Sequence, residues 1–273
     1  MNKFKSRTLT GILFVLIVAG ALWLGQISFF ILFALIIIGS LWEFFNLNNQ
    51  NNHNPQKWIG LFFGLLTFTV TFFHAKNVIP ATWFLFIFAG FFIFAVAELF
   101  RKQTNPANAF NSFMGVIYIA GTLSTANYLV FNKTAGNVAS YQFELILSIF
   151  VIIWLNDTMA YLIGKRTGKH KLMQRISPKK TWEGTLAGLV FACITSIILS
   201  IFLTTLNMTE AGILGILISI AANFGDLFES AIKRKAGRKD SGTLLPGHGG
   251  LLDRFDAVLF AIPFSFFYLT IFI

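Results

Sequence analysis

The sequence has 273 residues, of which 56% are hydrophobic and only 12% are charged, and its formal net charge is +10 at pH 7. Soluble domains carry about 25% charged residues, so this composition excludes an ordinary soluble protein. The apolar residues form continuous runs and not the short alternating segments of an outer-membrane barrel. The composition therefore predicts an all-α, polytopic membrane protein.

A transmembrane helix needs about 20 predominantly apolar residues. Nine stretches meet this requirement, and the predicted spans are residues 8–25, 27–45, 57–75, 80–100, 108–131, 140–163, 183–206, 210–231 and 253–273. The first stretch follows a basic segment, as in a signal peptide, but the second follows so closely that we interpret the first as a retained helix.

We expect a single integral membrane domain with two functional parts. Residues 1–140 are predicted to form a lipid-embedded scaffold that carries the dimer contact. Residues 141–273 are predicted to form the catalytic part, with polar loops at 164–182 and 232–254.

The basic residues predict the orientation of the chain. With nine spans, all 21 Lys and Arg residues except Lys76 and Lys133 fall on the side of the N-terminus. The positive-inside rule assigns that side to the cytoplasm. We therefore expect a multi-pass protein of the inner or plasma membrane, with a cytoplasmic N-terminus and both basic loops cytoplasmic. Such a face suits anionic lipid headgroups and anionic soluble substrates.

Several ionisable residues lie inside the predicted spans, where charges are costly and are functional candidates by default. Glu43 and Glu98 lie near the predicted cytoplasmic helix ends, so we interpret them as interfacial or packing residues. Asp157 follows Asn156 near the end of the sixth span. It is either a packing residue or a substrate-binding one.

The eighth span carries a polar stripe of Asn223, Asp226, Glu229, Ser230 and Lys233, whose spacing of three and four residues places them on one helical face. Two carboxylates one turn apart could hold a divalent cation through hard oxygen ligands. Alternatively, Glu229 forms an ion pair with Lys233 at i,i+4, which leaves Asp226 unexplained.

The next polar segment, LLPGHGGLLDRFD, combines a glycine-rich turn around His248 with the start of the last span. Such a turn can place backbone N–H groups against phosphate oxygens. Asp253 is either the N-cap of the last helix or a metal ligand. A metal between Asp226 and Asp253 would accept substrate phosphates, and Mg²⁺ fits because it uses one or two carboxylates plus phosphates.

The first basic loop ends in the segment SPKKTWEG. The positive-inside rule explains most of its charges. Ser177 or Thr181 is expected to cap the seventh helix, with Glu183 in its first turn. A helix N-terminus flanked by Lys179 and Lys180 would form a phosphate cradle.

The sequence contains no GxxxxGK[ST], GxGxxG or HExxH motif. Carboxylates for a divalent metal and cations for phosphates are predicted together on one membrane face. This combination favours phosphoryl or nucleotidyl transfer at the membrane interface, driven by positioning and electrostatics.

These residues resemble the signature of the phosphatidate cytidylyltransferase (CDP-diacylglycerol synthase) family. The matching residues are Ser230, Lys233, Arg234, Lys239, Asp240, Pro246, His248, Gly249, Gly250, Asp253, Arg254 and Asp256. The segments NDTMAYLIGKRTGKHK, SPKKTWEG and NFGDLFES extend the resemblance to residues 156–256. The first 140 residues match only as apolar helices.

The resemblance implies the reaction CTP plus phosphatidate to CDP-diacylglycerol plus pyrophosphate, carried out by a homodimer with no nucleic-acid partner. It implies Mg²⁺ in a two-metal site, where K⁺ is a candidate for the second cation. Asp226 and Asp253 would be the metal-binding catalytic carboxylates, and Lys233 and Lys239 the catalytic cations. The implied substrate-binding residues are Asp157, Ser177, Lys179, Lys180, Thr181, Arg234, His248, Gly249, Gly250 and Arg254. Roles for His248 within that set and for Asp256 are not assigned.

We expect an in-line attack of the phosphatidate phosphate on the α-phosphorus of CTP. One alternative is a CTP-dependent polyprenol kinase, which would transfer the γ-phosphate and release CDP. A transporter of an anionic solute is another alternative. The crowding of polar groups at one interface favours an enzyme over a transporter with mid-membrane sites.

Overall fold

A computed structural model describes residues 3–49, 54–133, 139–203, 205–244 and 249–273. His248 of the predicted site lies outside this part of the chain. Within it the helices are α1 (Lys3–Trp23), α2 (Gln26–Asn49), α3 (Lys57–Ala75), α4 (Ala81–Leu99), α5 (Pro106–Val130), α6 (Glu144–Thr167), α7 (Trp182–Ser200), α8 (Met208–Lys235) and α9 (Leu252–Phe272).

Eight of the described helices, α2 to α9, are long and apolar enough to cross a membrane. The apolar part of α1, Gly11–Trp23, is shorter. The protein is therefore an all-α, polytopic membrane protein, as its composition predicts. The close succession of the first two predicted spans is also confirmed, because α1 ends at Trp23 and α2 begins at Gln26.

The helix ends differ from the prediction where the chain forms short hairpins. Strands β1 (Phe131–Lys133) and β2 (Ala139–Tyr141) pair antiparallel between α5 and α6. Strands β3 (Lys171–Met173) and β4 (Ser177–Thr181) pair antiparallel between α6 and α7. The sixth helix therefore begins at Glu144 and not at residue 140, because backbone groups of the preceding residues pair in a ladder. The seventh helix ends at Ser200, earlier than predicted.

The chain forms two compact units. The N-terminal unit comprises Met1–Phe143 and Lys235–Arg254. The C-terminal unit comprises Glu144–Arg234 and Phe255–Ile273. The glycine-rich segment that precedes α9 therefore belongs to the same unit as the N-terminal helices.

Aromatic rings fill the core of the N-terminal unit between α2 and α3. Phe29, Phe33 and Phe68 are fully buried, and the rings of Phe33 and Phe68 stack with their centroids 6.2 Å apart. Such burial removes large apolar areas from any polar surroundings and fixes the pair of helices relative to each other.

Glu98 lies in a polar network of the same unit and is only 2% exposed. Its Oε1 accepts hydrogen bonds from the Asn105 amide and the Asn108 side chain at 3.1 and 2.9 Å. Its Oε2 accepts from Gln56 Nε2 at 2.8 Å and from Arg101 at 3.2 Å. This satisfied carboxylate joins the segment before α3 to the α4–α5 turn, which supports the packing role predicted for Glu98.

In the C-terminal unit, α6 packs closely against α7. Ile149, Ile153 and Ala192 are buried. The Phe150 ring meets Phe255 of α9 edge to face, with centroids 6.3 Å apart. These contacts hold together the helices that carry the polar residues described next.

Candidate active site

Three carboxylates of the C-terminal unit lie together. Oxygen atoms of Asp226 and Glu229 on α8 and of Asp256 on α9 all lie within 4.8 Å of one another. Glu229 is buried, whereas Asp226 and Asp256 are partly exposed. This acidic cluster combines the helical stripe predicted on α8 with a residue of the signature whose role the sequence did not assign.

Gly225 allows α8 and α9 to approach closely at this cluster. A β-carbon at Gly225 would lie 3.3 Å from the Ala257 Cα and would collide with the Asp256 carbonyl oxygen. Only glycine fits against a neighbouring backbone at this distance. The neighbouring Asp226 side chain is thereby brought near Asp256.

Lys180 links the β3–β4 hairpin to the acidic cluster. Its ammonium lies 2.7 Å from Asp226 Oδ2 and 3.4 Å from Asn223 Oδ1. On the other side, Ser230 Oγ donates a hydrogen bond of 3.2 Å to Asp226 Oδ1. The structure thus joins two regions of the sequence that were predicted separately, SPKKTWEG and the stripe on α8.

Lys233 forms a buried ion pair with Glu229 one turn earlier on α8. This is the i,i+4 pair that the sequence analysis gave as the alternative for Glu229. A buried carboxylate is tolerated only when a partner compensates its charge, and Lys233 provides that compensation. The role predicted for Lys233 as a catalytic cation stays a prediction.

The β3–β4 hairpin is fixed at the start of α7. Thr181, one of the two predicted candidates, is the N-cap, and its Oγ1 accepts a hydrogen bond of 3.3 Å from the Gly184 amide. Glu183 accepts from the His170 amide at 3.1 Å, and its Oε1 lies 2.7 Å from His170 Nδ1. Arg234 Nε donates to the Ile176 carbonyl at 3.4 Å. These contacts hold Lys180 at the end of β4, whereas Lys179 is exposed and Ser177 is partly exposed.

Asp157 lies on α6 beside a buried polar pair. Asn156 Oδ1 accepts a hydrogen bond of 2.6 Å from Ser219 Oγ, and Asn156 Nδ2 donates at 2.9 Å to Asp157 Oδ1. Asn156 thereby connects α6 to α8 and orients the exposed Asp157 carboxylate. Sequence reasoning did not identify Ser219, although its position four residues before Asn223 continues the stripe on α8.

The remaining predicted residues that the structure describes lie in the N-terminal unit. Lys239 and Arg254 are exposed. Asp253 Oδ2 accepts hydrogen bonds from the backbone amides of Ser241 and Gly250 at 2.9 and 2.7 Å. The Gly250 amide, which the sequence analysis offered to substrate phosphate, therefore binds a carboxylate of the chain itself. The predicted pairing of Asp226 with Asp253 involves residues of both units and stays a prediction.

The donor set of the acidic cluster suits a hard divalent cation, because all three ligands offered are carboxylate oxygens. Lys233 already balances the charge of Glu229. Asp226 also pairs with Lys180, but it and Asp256 are partly exposed while Glu229 is buried, so Asp226 and Asp256 are the members best suited to a metal ion. The resemblance had indicated Asp226 for this role, while Asp256 was recognised only when α9 was seen against α8.

The sequence matches a known family over almost its whole length. The model of the cytidylyltransferase family aligns with residues 5–272. A phosphatidate cytidylyltransferase of Staphylococcus haemolyticus (strain JCSC1435) is 38% identical over 175 residues, which are 64% of this chain and 64% of that protein.

Two further relatives give the same picture. A phosphatidate cytidylyltransferase of Staphylococcus aureus (strain COL) is 38% identical over 176 residues, or 64% of each chain. YnbB of Escherichia coli (strain K12), named an uncharacterized protein, is 38% identical over 185 residues, which are 66% of this chain and 61% of that protein. The matches therefore span just under two thirds of these relatives. Because the family model covers nearly every residue, the chain belongs to the cytidylyltransferase family.

Proposed function

We propose that the protein is a phosphatidate cytidylyltransferase, which converts CTP and phosphatidate to CDP-diacylglycerol and diphosphate. The observation that carries the proposal is the acidic cluster bordered by Lys180 and Lys233, in a membrane-spanning member of this family. Carboxylates beside lysines suit a reaction between two phosphate-bearing substrates, one of them a lipid.

In the proposed reaction, an oxygen of the phosphatidate phosphate attacks the α-phosphorus of CTP. A new P–O bond forms there, and the bond from the α-phosphorus to the bridging oxygen of the β-phosphate breaks. Diphosphate leaves with that electron pair. A phosphate monoester is largely ionised at neutral pH, so no dedicated base is needed to activate it.

The residues of this chain would act by electrostatics and positioning. Lys180 lies within 2.7 Å of Asp226, so its positive charge stands where phosphate oxygens would approach a cation bound there. The β3–β4 hairpin adds the exposed Lys179 beside it. Cations at this point would offset the repulsion between the anionic substrates and stabilise the departing diphosphate.

A divalent cation, for which Mg²⁺ is our choice, would be held by Asp226 together with Asp256. Such an ion would supply Lewis-acid stabilisation of the phosphate oxygens. The resemblance also predicts Asp253 as a ligand and leaves room for a second cation such as K⁺. The assignments of Asp253 as a ligand and of K⁺ as the second cation are both part of this proposal.

The distribution of Lys and Arg supports a cytoplasmic location of the N-terminus and of the basic hairpin, in the inner or plasma membrane. CTP is a soluble anion, so a basic cytoplasmic face would attract it. The resemblance further predicts a homodimer.

The test is product analysis with the purified full-length protein. Incubation with labelled CTP, Mg²⁺ and phosphatidate is expected to move the cytidine label into a lipid and to release one diphosphate per lipid formed. Release of CDP with a phosphorylated lipid would contradict the proposal and indicate a kinase. Omission of Mg²⁺ with added chelator is expected to stop the reaction, and full activity under that condition would contradict the proposed metal.

A further inference from the structure

Glu43 of α2 is bonded to the segment that begins α9. Its side chain is buried, with 5% exposure. Oε1 accepts a hydrogen bond of 3.0 Å from the Leu251 amide, and Oε2 accepts one of 2.9 Å from the Leu252 amide. Oε2 also accepts from Ser241 Oγ at 2.9 Å. All these partners lie in the same unit as Glu43, although they are about 200 residues away in sequence.

The bonds to Leu251 and Leu252 satisfy amides at the start of a helix. The first amides of an α-helix have no acceptor within the helix. A negative charge is also favourable there because of the helix dipole. Glu43 of α2 therefore caps the start of α9, and each of its two carboxylate oxygens accepts one of these amide hydrogen bonds.

The fit between Glu43 and this segment is close. A β-carbon at Gly250 would lie 2.7 Å from Glu43 Cδ, well inside van der Waals contact. The glycine at this place in the signature thus admits the Glu43 carboxylate. The carboxylate in turn sets the path of the backbone from residue 249 to 252.

Ser241 couples Glu43 to Asp253. Its hydroxyl donates to Glu43, while its backbone amide donates to Asp253 Oδ2 at 2.9 Å. The Gly250 amide, next to Leu251, donates to the same Asp253 oxygen at 2.7 Å. Displacement of the backbone that Glu43 holds would therefore displace the Asp253 carboxylate.

We propose that Glu43 is a positioning residue for nucleotidyl transfer, which orients the signature segment and its Asp253 carboxylate. The inference rests on the proposed function and assigns to the N-terminal helices a part in the reaction. It replaces our interpretation of Glu43 as an interfacial or packing residue.

Glu98 provides a matched control. It is a similarly buried glutamate of the same unit and accepts four hydrogen bonds from described residues, where Glu43 accepts three, but its partners lie between Gln56 and Asn108. Replacement of either glutamate by Gln keeps the side-chain volume but leaves one acceptor oxygen instead of two. Because Glu98 also pairs with Arg101, a loss of stability alone would affect Glu98→Gln at least as much as Glu43→Gln.

The experiment compares Glu43→Gln, Glu98→Gln and the milder Ser241→Ala in the full-length protein, reconstituted in lipid with phosphatidate. For the folded fraction of Glu43→Gln, we expect kcat to fall about 10–100-fold, as for other residues that orient a site. The KM for phosphatidate is expected to change less than about threefold, because the loss concerns the transition state. Glu98→Gln is expected to keep the wild-type kcat per folded molecule.

Hydrogen exchange gives a readout that does not depend on activity. We expect faster exchange at the Leu251 and Leu252 amides in Glu43→Gln, a smaller increase in Ser241→Ala and none in Glu98→Gln. Wild-type exchange and wild-type kcat in folded Glu43→Gln would overturn the inference, as would an equal kcat loss in Glu98→Gln. If Glu43→Gln does not fold, Ser241→Ala decides by the same two measurements. An inactive wild type would instead contradict the proposed function. The exchange measurement would then still test whether Glu43 holds the Leu251 and Leu252 amides.

Discussion

At the scale of single residues, Asp226 is the centre of the candidate site. It bonds Lys180 of the hairpin and Ser230 of its own helix, and it lies next to Glu229 and Asp256. Glu229 has its own partner in Lys233. The charge of Asp226 is therefore shared with Lys180, which reaches in from another element.

Replacement of Asp226 by Asn is expected to lower kcat on the order of 10²-fold, because it would remove a charge that holds the proposed cation near the reacting phosphates. The amide keeps the size of the side chain, so the folded fraction should change little. Steady-state transfer of labelled cytidine to phosphatidate measures the effect.

Glu210→Gln is the control for this variant. Glu210 lies near the start of the same helix, roughly 24 Å from Asp226 at 1.5 Å per residue. It accepts a hydrogen bond from the Asn207 amide at 2.9 Å, which Gln can also accept. We expect wild-type activity in Glu210→Gln. Wild-type activity in Asp226→Asn would refute the assignment of Asp226.

At the scale of elements, the site depends on how α8 meets α9 and on where the β3–β4 hairpin ends. The hairpin is held by the Thr181 cap and by the contact between His170 and Glu183. The two helices approach at Gly225. Neither feature contributes ligands, but together they determine the separation of Lys180, Asp226 and Asp256.

Gly225→Ala is expected to destabilise the protein, because the new methyl group meets the backbone of α9 and not a flexible side chain. Overpacking costs about 1–3 kcal/mol. Over most of this range, the cost of overpacking exceeds the gain in helix stability of about 1 kcal/mol that alanine brings relative to glycine. The melting temperature in detergent should therefore fall, and activity per folded molecule should fall with it.

Gly20→Ala on α1 is the matched substitution, since nothing lies within 4 Å of a β-carbon at that position. Its melting temperature should equal or exceed that of the wild type. A melting temperature of Gly225→Ala at or above that of Gly20→Ala would contradict this prediction, because it would show that α9 accommodates the methyl group with no loss of stability.

At the scale of the whole molecule, eight described helices are suited to span a membrane, and the basic residues are distributed unevenly along the connections between them. The proposed chemistry needs CTP to reach the hairpin from the cytoplasm. Orientation is therefore the property of the whole chain on which the proposal depends.

Single-cysteine labelling tests the orientation, because Cys193 is the one cysteine of the sequence and can be replaced by Ala. Val78→Cys and Lys169→Cys introduce thiols at exposed positions of the α3–α4 and α6–α7 connections. A membrane-impermeant maleimide should label Val78→Cys in intact cells and Lys169→Cys only after permeabilisation. The reverse pattern would invert the predicted topology.

The sequence by itself determined the fold class, because long apolar runs in a chain with few charges leave helices as the economical way to satisfy backbone groups in lipid. It also predicted the stripe on α8 and limited the cap of α7 to Ser177 or Thr181, since both are local patterns of spacing. The hairpins were not predicted, because strands of three to five residues are too short to show a periodic pattern of apolar residues.

Only the tertiary structure decided which distant residues meet. Periodicity relates neighbours along a helix, so it placed Asp226 beside Glu229 but could not place Asp256 with them or bring Lys180 to Asp226. Likewise, no local pattern distinguishes Glu43, which holds the start of α9, from Glu98, which holds a turn. The partners of a buried carboxylate are set by packing between helices, and that information does not reside in the spacing along any one of them.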